Sequence, residues 1–173
     1  MRTIEVKVFK FSELSEKAKQ HAKDEYARDE AYNWGDEAMD SINALAKHFG
    51  GKVSNWQIDW FDNSPSSMDF EMPEMTAKEI KALLGQLGTY NKRTGKGHGD
   101  CKLTGYCMDE SAIDGFRIAW RKGERDLTEL MSEAFHSWLK DAHADCASFY
   151  EDEQFAEHCE ANNYEFYENG ELA

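Results

Sequence analysis

Apolar side chains recur at every second position between Val53 and Met72, whereas on both sides of this segment they recur every three or four positions. Period two indicates a strand, and the longer period indicates an amphipathic helix. The turn-forming residues 62–65 (Asp-Asn-Ser-Pro) interrupt the first pattern, which predicts a hairpin of two strands. One hairpin within a series of helices predicts an α+β fold, with a small antiparallel or mixed sheet and helices packed on one face.

Local start and stop signals mark the helices that surround the hairpin. Thr76 and Glu79 form a capping box, and Asp126 opens the longest helix. Gly50 can adopt the left-handed conformation that ends a helix. The predicted elements, in chain order, are a strand over 3–11, helices over 14–26 and 36–49, strands over 53–61 and 68–72, helices over 76–87, 113–120 and 126–142, a helical segment through Phe155 and Cys159, and a strand over 164–167.

The length of 173 residues and the hydrophobic content of 40% predict one domain over 1–173. The sequence has no apolar run long enough for a membrane span, and its first ten residues alternate apolar and charged side chains, unlike a signal peptide. We therefore expect a cytoplasmic protein. In that compartment the four cysteines should be reduced thiols; they are Cys101, Cys107, Cys146 and Cys159.

The net charge of −14 is concentrated near the C-terminus. Residues 124–173 carry 14 acidic and 2 basic side chains, whereas residues 90–123 carry 4 acidic and 7 basic ones. An acidic field repels nucleic acids and anionic membranes, but it attracts the basic grooves of proteins that bind nucleic acids. The alternative interpretation is that the charge only keeps the protein in solution.

Two acidic groups are the candidate partner-binding residues. If they lie along one face, they could imitate a phosphate backbone and occupy a nucleic-acid-binding groove. A solvated helix face is the alternative for each group. The first group is Asp24, Glu25, Asp29, Glu30, Asp36, Glu37 and Asp40; the second is Glu151, Asp152, Glu153, Glu157 and Glu160, followed by Glu165 and Glu168.

A repeated His-x-Asp-Cys pattern is the strongest candidate for metal or thiol chemistry. His98 with Cys101, and His143 with Cys146, could together supply the four ligands of a tetrahedral zinc ion. The alternative is ordinary cysteines, since Cys146 also fits the buried stripe of its helix. We expect no cofactor other than this zinc.

A thiol nucleophile is a second reading of these residues. Cys101 or Cys107 could pair with His98. The chain contains none of the Gly-x-Ser-x-Gly, His-Glu-x-x-His or Asp-rich calcium motifs, so nothing further supports an enzyme. Residues 90–102 contain glycines and cations without the order of a P-loop, and they predict an exposed mobile loop.

Three segments carry a pattern shared with other proteins. They are residues 9–20, the stretch through Trp34, Glu37 and Ala38, and residues 161–170. In these segments the chain resembles a group of largely uncharacterised bacteriophage and prophage proteins, some labelled antitoxin-like. The resemblance implies a phage accessory protein, similar in kind to anti-restriction and anti-CRISPR inhibitors of host defence. It identifies no catalytic residue.

The leading hypothesis is a phage-encoded acidic protein that inhibits or neutralises a host defence or toxin protein. Its partner would be a host protein with a basic nucleic-acid-binding surface, and it would bind neither nucleic acid nor membrane directly. One alternative is a zinc-dependent or thiol enzyme built on the histidines and cysteines above. Another is a structural or regulatory oligomer that uses the aromatic strands from Trp56 to Met72.

Overall fold

The computed structural model describes residues 6–29, 32–87 and 103–173. These residues form an α+β fold with one small sheet, as the alternation of periods predicted. The elements are a 3-10 helix at Phe11–Glu13, α1 (Glu16–Asp29), α2 (Gly35–His48), β1 (Lys52–Gln57), β2 (Ser67–Glu71), α3 (Ala77–Gln86), α4 (Met108–Lys122), α5 (Leu127–Phe149) and α6 (Asp152–Ala161). The predicted loop over 90–102 lies outside the described residues.

The chain divides into two compact units. Unit 1 consists of residues 1–33 and 145–173, and unit 2 consists of residues 34–144. Because the boundary falls within α5, this helix contributes residues to both units. One domain over 1–173 stays a prediction.

The core of unit 2 is built from the apolar faces of α2, α4 and α5. Phe49 stacks on Phe116, with ring centroids 4.5 Å apart and planes 7° from parallel. The indole nitrogen of Trp138 donates a 3.0 Å hydrogen bond to the carbonyl oxygen of Ala38, so this large buried side chain has its polar atom satisfied. A Cβ at Gly115 would lie 2.6 Å from the carbonyl oxygen of Glu133, so α4 and α5 can approach this closely only at a glycine.

The predicted hairpin is confirmed. Strands β1 and β2 are antiparallel, with Val53 opposite Phe70 and Trp56 opposite Met68, and the register shifts between Val53 and Asn55. Most side chains of β1 are exposed, and Trp56 retains 51% of its accessible surface. The aromatic face of the hairpin is therefore partly open to solvent.

The core of unit 1 is smaller and aromatic. The ring of Phe11 meets that of Phe155 edge to face at 5.0 Å, and Phe166 lies against the same ring of Phe11 at 6.1 Å. Ser15 caps α1 by accepting a 3.3 Å hydrogen bond from the amide of Ala18. The other buried members of this core are Leu14, Ala18, Ala22 and Cys159.

The two predicted terminal strands are wrong for the described residues. Phe9 and Phe166 form a single antiparallel bridge, with two hydrogen bonds of 2.9 Å between their main chains. The chain already turns at Phe11 into the 3-10 helix, so the bridge cannot extend into a ladder. Alternation therefore identified an extended segment correctly, but a strand also needs a partner along its length.

Candidate partner-binding surface

Three glutamates form a stripe along α6. Glu153, Glu157 and Glu160 are separated by four and three residues, a spacing that places them on one face of a helix. All three are exposed, whereas Phe155 and Cys159 on the opposite face are buried. We call these three glutamates the α6 stripe. It is the part of the second predicted group that lies on one helix face directed to solvent.

The cations of α1 are bound by other carboxylates. Lys23 lies 2.5 Å and Lys19 lies 3.4 Å from the carboxylate of Asp152, and Lys19 also lies 2.9 Å from Glu16. The hydrogen bond from Lys23, with help from the charges of both lysines, holds the pKa of Asp152 below its ordinary value. The hydrogen bond to Glu16, followed by that to Asp152, raises the pKa of Lys19. Asp152 thus joins α6 to α1 and is already neutralised.

The rest of the C-terminal segment is uniformly acidic. Residues 145–173 contain nine acidic side chains and no lysine or arginine. Asp145 accepts a 2.5 Å hydrogen bond from the Tyr32 hydroxyl, and Glu165 lies 3.8 Å from Lys10. In the described part of the chain, no cation pairs with the α6 stripe, Glu151, Glu168 or Glu171.

The first predicted group is divided between the two units. In unit 1, Asp24 accepts a 2.8 Å hydrogen bond from Gln20, and Glu25 pairs with Arg28 at 2.5 Å. Asp29 is exposed at the end of α1, and no described cation pairs with it. Glu30 lies outside the described residues.

The remaining members of that group, Asp36, Glu37 and Asp40, lie on α2 of unit 2. Asp36 and Glu37 are in its first turn, where the helix dipole favours negative charge. Helix stability therefore explains the positions of Asp36 and Glu37. That all seven residues act as one group stays a prediction.

A pocket of about 270 Å³ lies within unit 1, beside the acidic end of α1. Four aromatic side chains line it: Tyr26, Phe155, Tyr164 and Phe166. Glu25 and Asp29, one helical turn apart, add two carboxylates to its lining, and none of the described residues that line it is a lysine or arginine. Sequence reasoning included these two carboxylates in a charge group but missed the aromatic walls, because the walls come from opposite ends of the chain.

Two of the four predicted zinc ligands lie among the described residues. His143 has one ring nitrogen 2.8 Å from the carbonyl oxygen of Asp59 and the other 3.7 Å from the carboxylate of Asp62. Cys146 is completely buried. His98 and Cys101 lie outside the described residues, and no group of three or more potential ligands is placed to hold a metal among the residues that are described. The zinc site stays a prediction.

The described cysteines differ in accessibility. Cys107 is exposed, whereas Cys146 and Cys159 are buried. Burial raises the pKa of the Cys159 thiol to about 12, which keeps it protonated and unreactive. Of these three, Cys107 is the one that a reagent in solution can reach.

Comparisons of the chain with models of protein families, with curated proteins and with solved structures gave no match. Among the described helices, none combines the length and the apolar character that a bilayer crossing requires.

Proposed function

We propose that this chain is an acidic binding protein, of the kind that phages use against host defence or toxin proteins, and that unit 1 presents its acidic surface to a basic site on the partner. The observation that carries the proposal is the α6 stripe, an exposed row of carboxylates with no described cation beside it. A basic groove that normally holds a nucleic acid is the complementary surface. The resemblance of the chain's ends to phage proteins agrees with this class of target.

The helix dipole favours Glu153, which lies in the first turn of α6, but Glu157 and Glu160 do not serve the stability of the helix. Like charges one helical turn apart destabilise a helix by about 0.2–0.5 kcal/mol per pair. Glu160 lies near the C-terminal end of α6, where the helix dipole disfavours an anion. A role in binding accounts for a charge arrangement that folding alone does not favour.

The test is affinity capture of the tagged protein's partner from bacterial lysate, in three forms of the chain. They are the wild type, a stripe variant (Glu153→Gln, Glu157→Gln and Glu160→Gln) and an α2 variant (Asp36→Asn, Glu37→Gln and Asp40→Asn). Both variants lose three negative charges, so they differ in position and not in net charge. The captured proteins are washed at low and at high salt and identified by mass spectrometry.

At low salt, we expect the wild type and the α2 variant to retain a basic defence, toxin or nucleic-acid-binding protein. The stripe variant should lose this protein. High salt should release it, because screening weakens contacts between exposed charges. DNA or RNA should compete for the captured partner. Capture of the same protein by all three forms, or no salt-sensitive partner at all, would contradict the proposal.

The exposed tryptophan of the hairpin favours a second candidate function, assembly into an oligomer. Trp56 is 51% exposed, and β1 and β2 form a sheet of two strands, so in the described structure each strand has one edge without a strand partner. An open edge beside an aromatic side chain can pair with a second chain. Light scattering would measure a mass above 19.9 kDa for the wild type, and Trp56→Ser would restore the monomer.

A further inference from the structure

We infer that the pocket of unit 1 receives the side chain of a lysine or arginine from a basic segment of a protein partner. This inference rests on the proposed function, because it assigns one anchoring contact within the acidic surface. Two properties of the pocket support it: negative charge at its rim and aromatic rings along its walls.

The charge at the rim is only partly neutralised. Glu25 shares its charge with Arg28 at 2.5 Å and with His21 at 3.7 Å. Asp29 has no such partner among the described cations, and its carboxylate therefore remains available. An incoming cation at the pocket would meet one free and one shared negative charge.

The aromatic walls are held in place before any ligand binds. The hydroxyl of Tyr26 donates a 2.8 Å hydrogen bond to Asn33, and its ring lies edge to face against Phe155 at 5.4 Å. Phe166 is buried and fixed by its bridge to Phe9. Of the four rings, Phe155 and Phe166 are buried, so a ligand reaches the half-buried rings of Tyr26 and Tyr164. Aromatic faces attract ammonium and guanidinium groups within about 6 Å, and a rigid wall loses little entropy on binding.

The size of the pocket matches one side chain. Its volume of about 270 Å³ lies just below the range of about 300–1,000 Å³ that is usual for small-molecule sites. A long cationic side chain can place its methylene groups against the rings and its charged end near Asp29. An apolar side chain would fill the same space but would make no use of the charges of Glu25 and Asp29.

The direct probe is a set of three capped tripeptides, Gly-Arg-Gly, Gly-Lys-Gly and Gly-citrulline-Gly, titrated into the full chain and followed by NMR. Citrulline has nearly the shape of arginine without its charge. The inference expects saturable shifts at the ring resonances of Tyr26 and Tyr164 with the two cationic peptides. Shifts of equal size with citrulline would overturn it.

Two variants of α1 distinguish binding in the pocket from attraction by the overall negative charge of the protein. Asp29→Lys places a cation at the rim, whereas Asp24→Lys makes the same charge change at an exposed position that does not line the pocket. A lysine at the end of α1 also suits the helix dipole, so Asp29→Lys should fold. We expect Asp29→Lys to weaken binding of the arginine peptide about tenfold or more, and Asp24→Lys to weaken it less than about threefold.

Failure of the inference differs from failure of the proposed function. If both lysine variants weaken the peptide equally, the pocket is not a specific site, while the salt-sensitive partner of the α6 stripe can still be captured. If Asp29→Lys loses the peptide but no form of the chain captures a basic partner, the pocket stands as a cation site and the proposed inhibitory function fails.

Discussion

The carboxylate of Asp109 accepts a 2.6 Å hydrogen bond from the hydroxyl of Ser41, and both residues are completely buried. The same carboxylate accepts hydrogen bonds from the amides of Thr104 and Gly105 at 2.9 and 3.0 Å. A fourth bond comes from the Thr104 hydroxyl at 2.9 Å. Asp109 therefore fastens the chain before α4 to α2, within unit 2.

Replacing this carboxylate should destabilise unit 2. In Asp109→Asn, an amide NH₂ group replaces one carboxylate oxygen, so a buried donor that now binds this oxygen loses its acceptor. We therefore expect a loss of about 2 kcal/mol in the free energy of unfolding. Asp40→Asn, at an exposed position beside Ser41, should change it by less than about 0.5 kcal/mol. Urea denaturation measures both. Equal effects of the two substitutions would show that the buried network adds no stability.

Gly170 lies against α1 at a point where no side chain fits. Its φ is +96°, and a Cβ there would overlap the carbonyl oxygen of Ala18. Gly123 has a similar φ of +107°, but a Cβ there would meet nothing. We expect Gly123→Ala to lower the free energy of unfolding by about 1 kcal/mol, from conformation alone.

Gly170→Ala combines the same conformational strain with the overlap. Its loss should exceed that of Gly123→Ala by about 1–3 kcal/mol, because backbone atoms must shift to admit the methyl group. Denaturation curves of the two variants, measured side by side, isolate the effect of close packing. A loss at position 170 no larger than that at 123 would mean that the chain relaxes freely there.

The ion pair between α6 and α1 should make stability depend on acid pH. Lys23 holds the pKa of Asp152 below the ordinary value of 3.8, so the stabilisation is complete above that pH and disappears as the pH falls through the lowered pKa. At neutral pH, Asp152→Asn should be less stable than the wild type by less than about 1 kcal/mol, because solvent screens the half-exposed carboxylate of Asp152.

The same difference should vanish in strong acid. Glu153→Gln removes an equal charge from the next residue, which makes no described ion pair, and it should not reproduce the pH-dependent loss. Denaturation of the three proteins across the acid range provides the comparison. An Asp152→Asn difference that does not change with pH would exclude the ion pair as its cause.

The accessibility of the thiols predicts their order of alkylation. Cys107 should react with iodoacetamide in the native protein, whereas Cys146 and Cys159 should react only after unfolding in urea. With a pKa of about 12 instead of 9.0, the reactive thiolate of Cys159 is roughly 10³-fold rarer at mildly alkaline pH. Peptide mapping after timed labelling measures each site. Labelling of native Cys159 as fast as Cys107 would show that its burial is transient.

The features that sequence predicted best are those that depend on neighbouring residues. The capping box of Thr76 and Glu79 is present, with the Thr76 amide donating to the Glu79 carboxylate at 2.8 Å. Gly50 adopts the left-handed conformation that was expected where a helix ends. Each of these features depends on residues within one helical turn of each other, so the local sequence is enough to predict it.

The features that sequence missed depend on distant partners. The pocket joins Tyr26 to Tyr164, which are far apart in the chain, and no local pattern announces that pairing. Asp109 precedes the predicted helix over 113–120, and no local pattern singled it out, because its donors Ser41 and Thr104 lie outside α4. For the acidic groups, the linear clusters included the α6 stripe but did not show that the first group is divided between α1 and α2.

The composition of unit 1 from both ends of the chain has a consequence during translation. Every residue of unit 2 has been synthesised when Ala144 is added, whereas the apolar face of α1 must wait for Phe155, Cys159 and Phe166. At about 5–20 residues per second, the chain from the end of α1 at Asp29 to Phe166 takes on the order of ten seconds to synthesise. For that time the nascent chain exposes Phe11, Leu14 and Ala18 to chaperones on the ribosome.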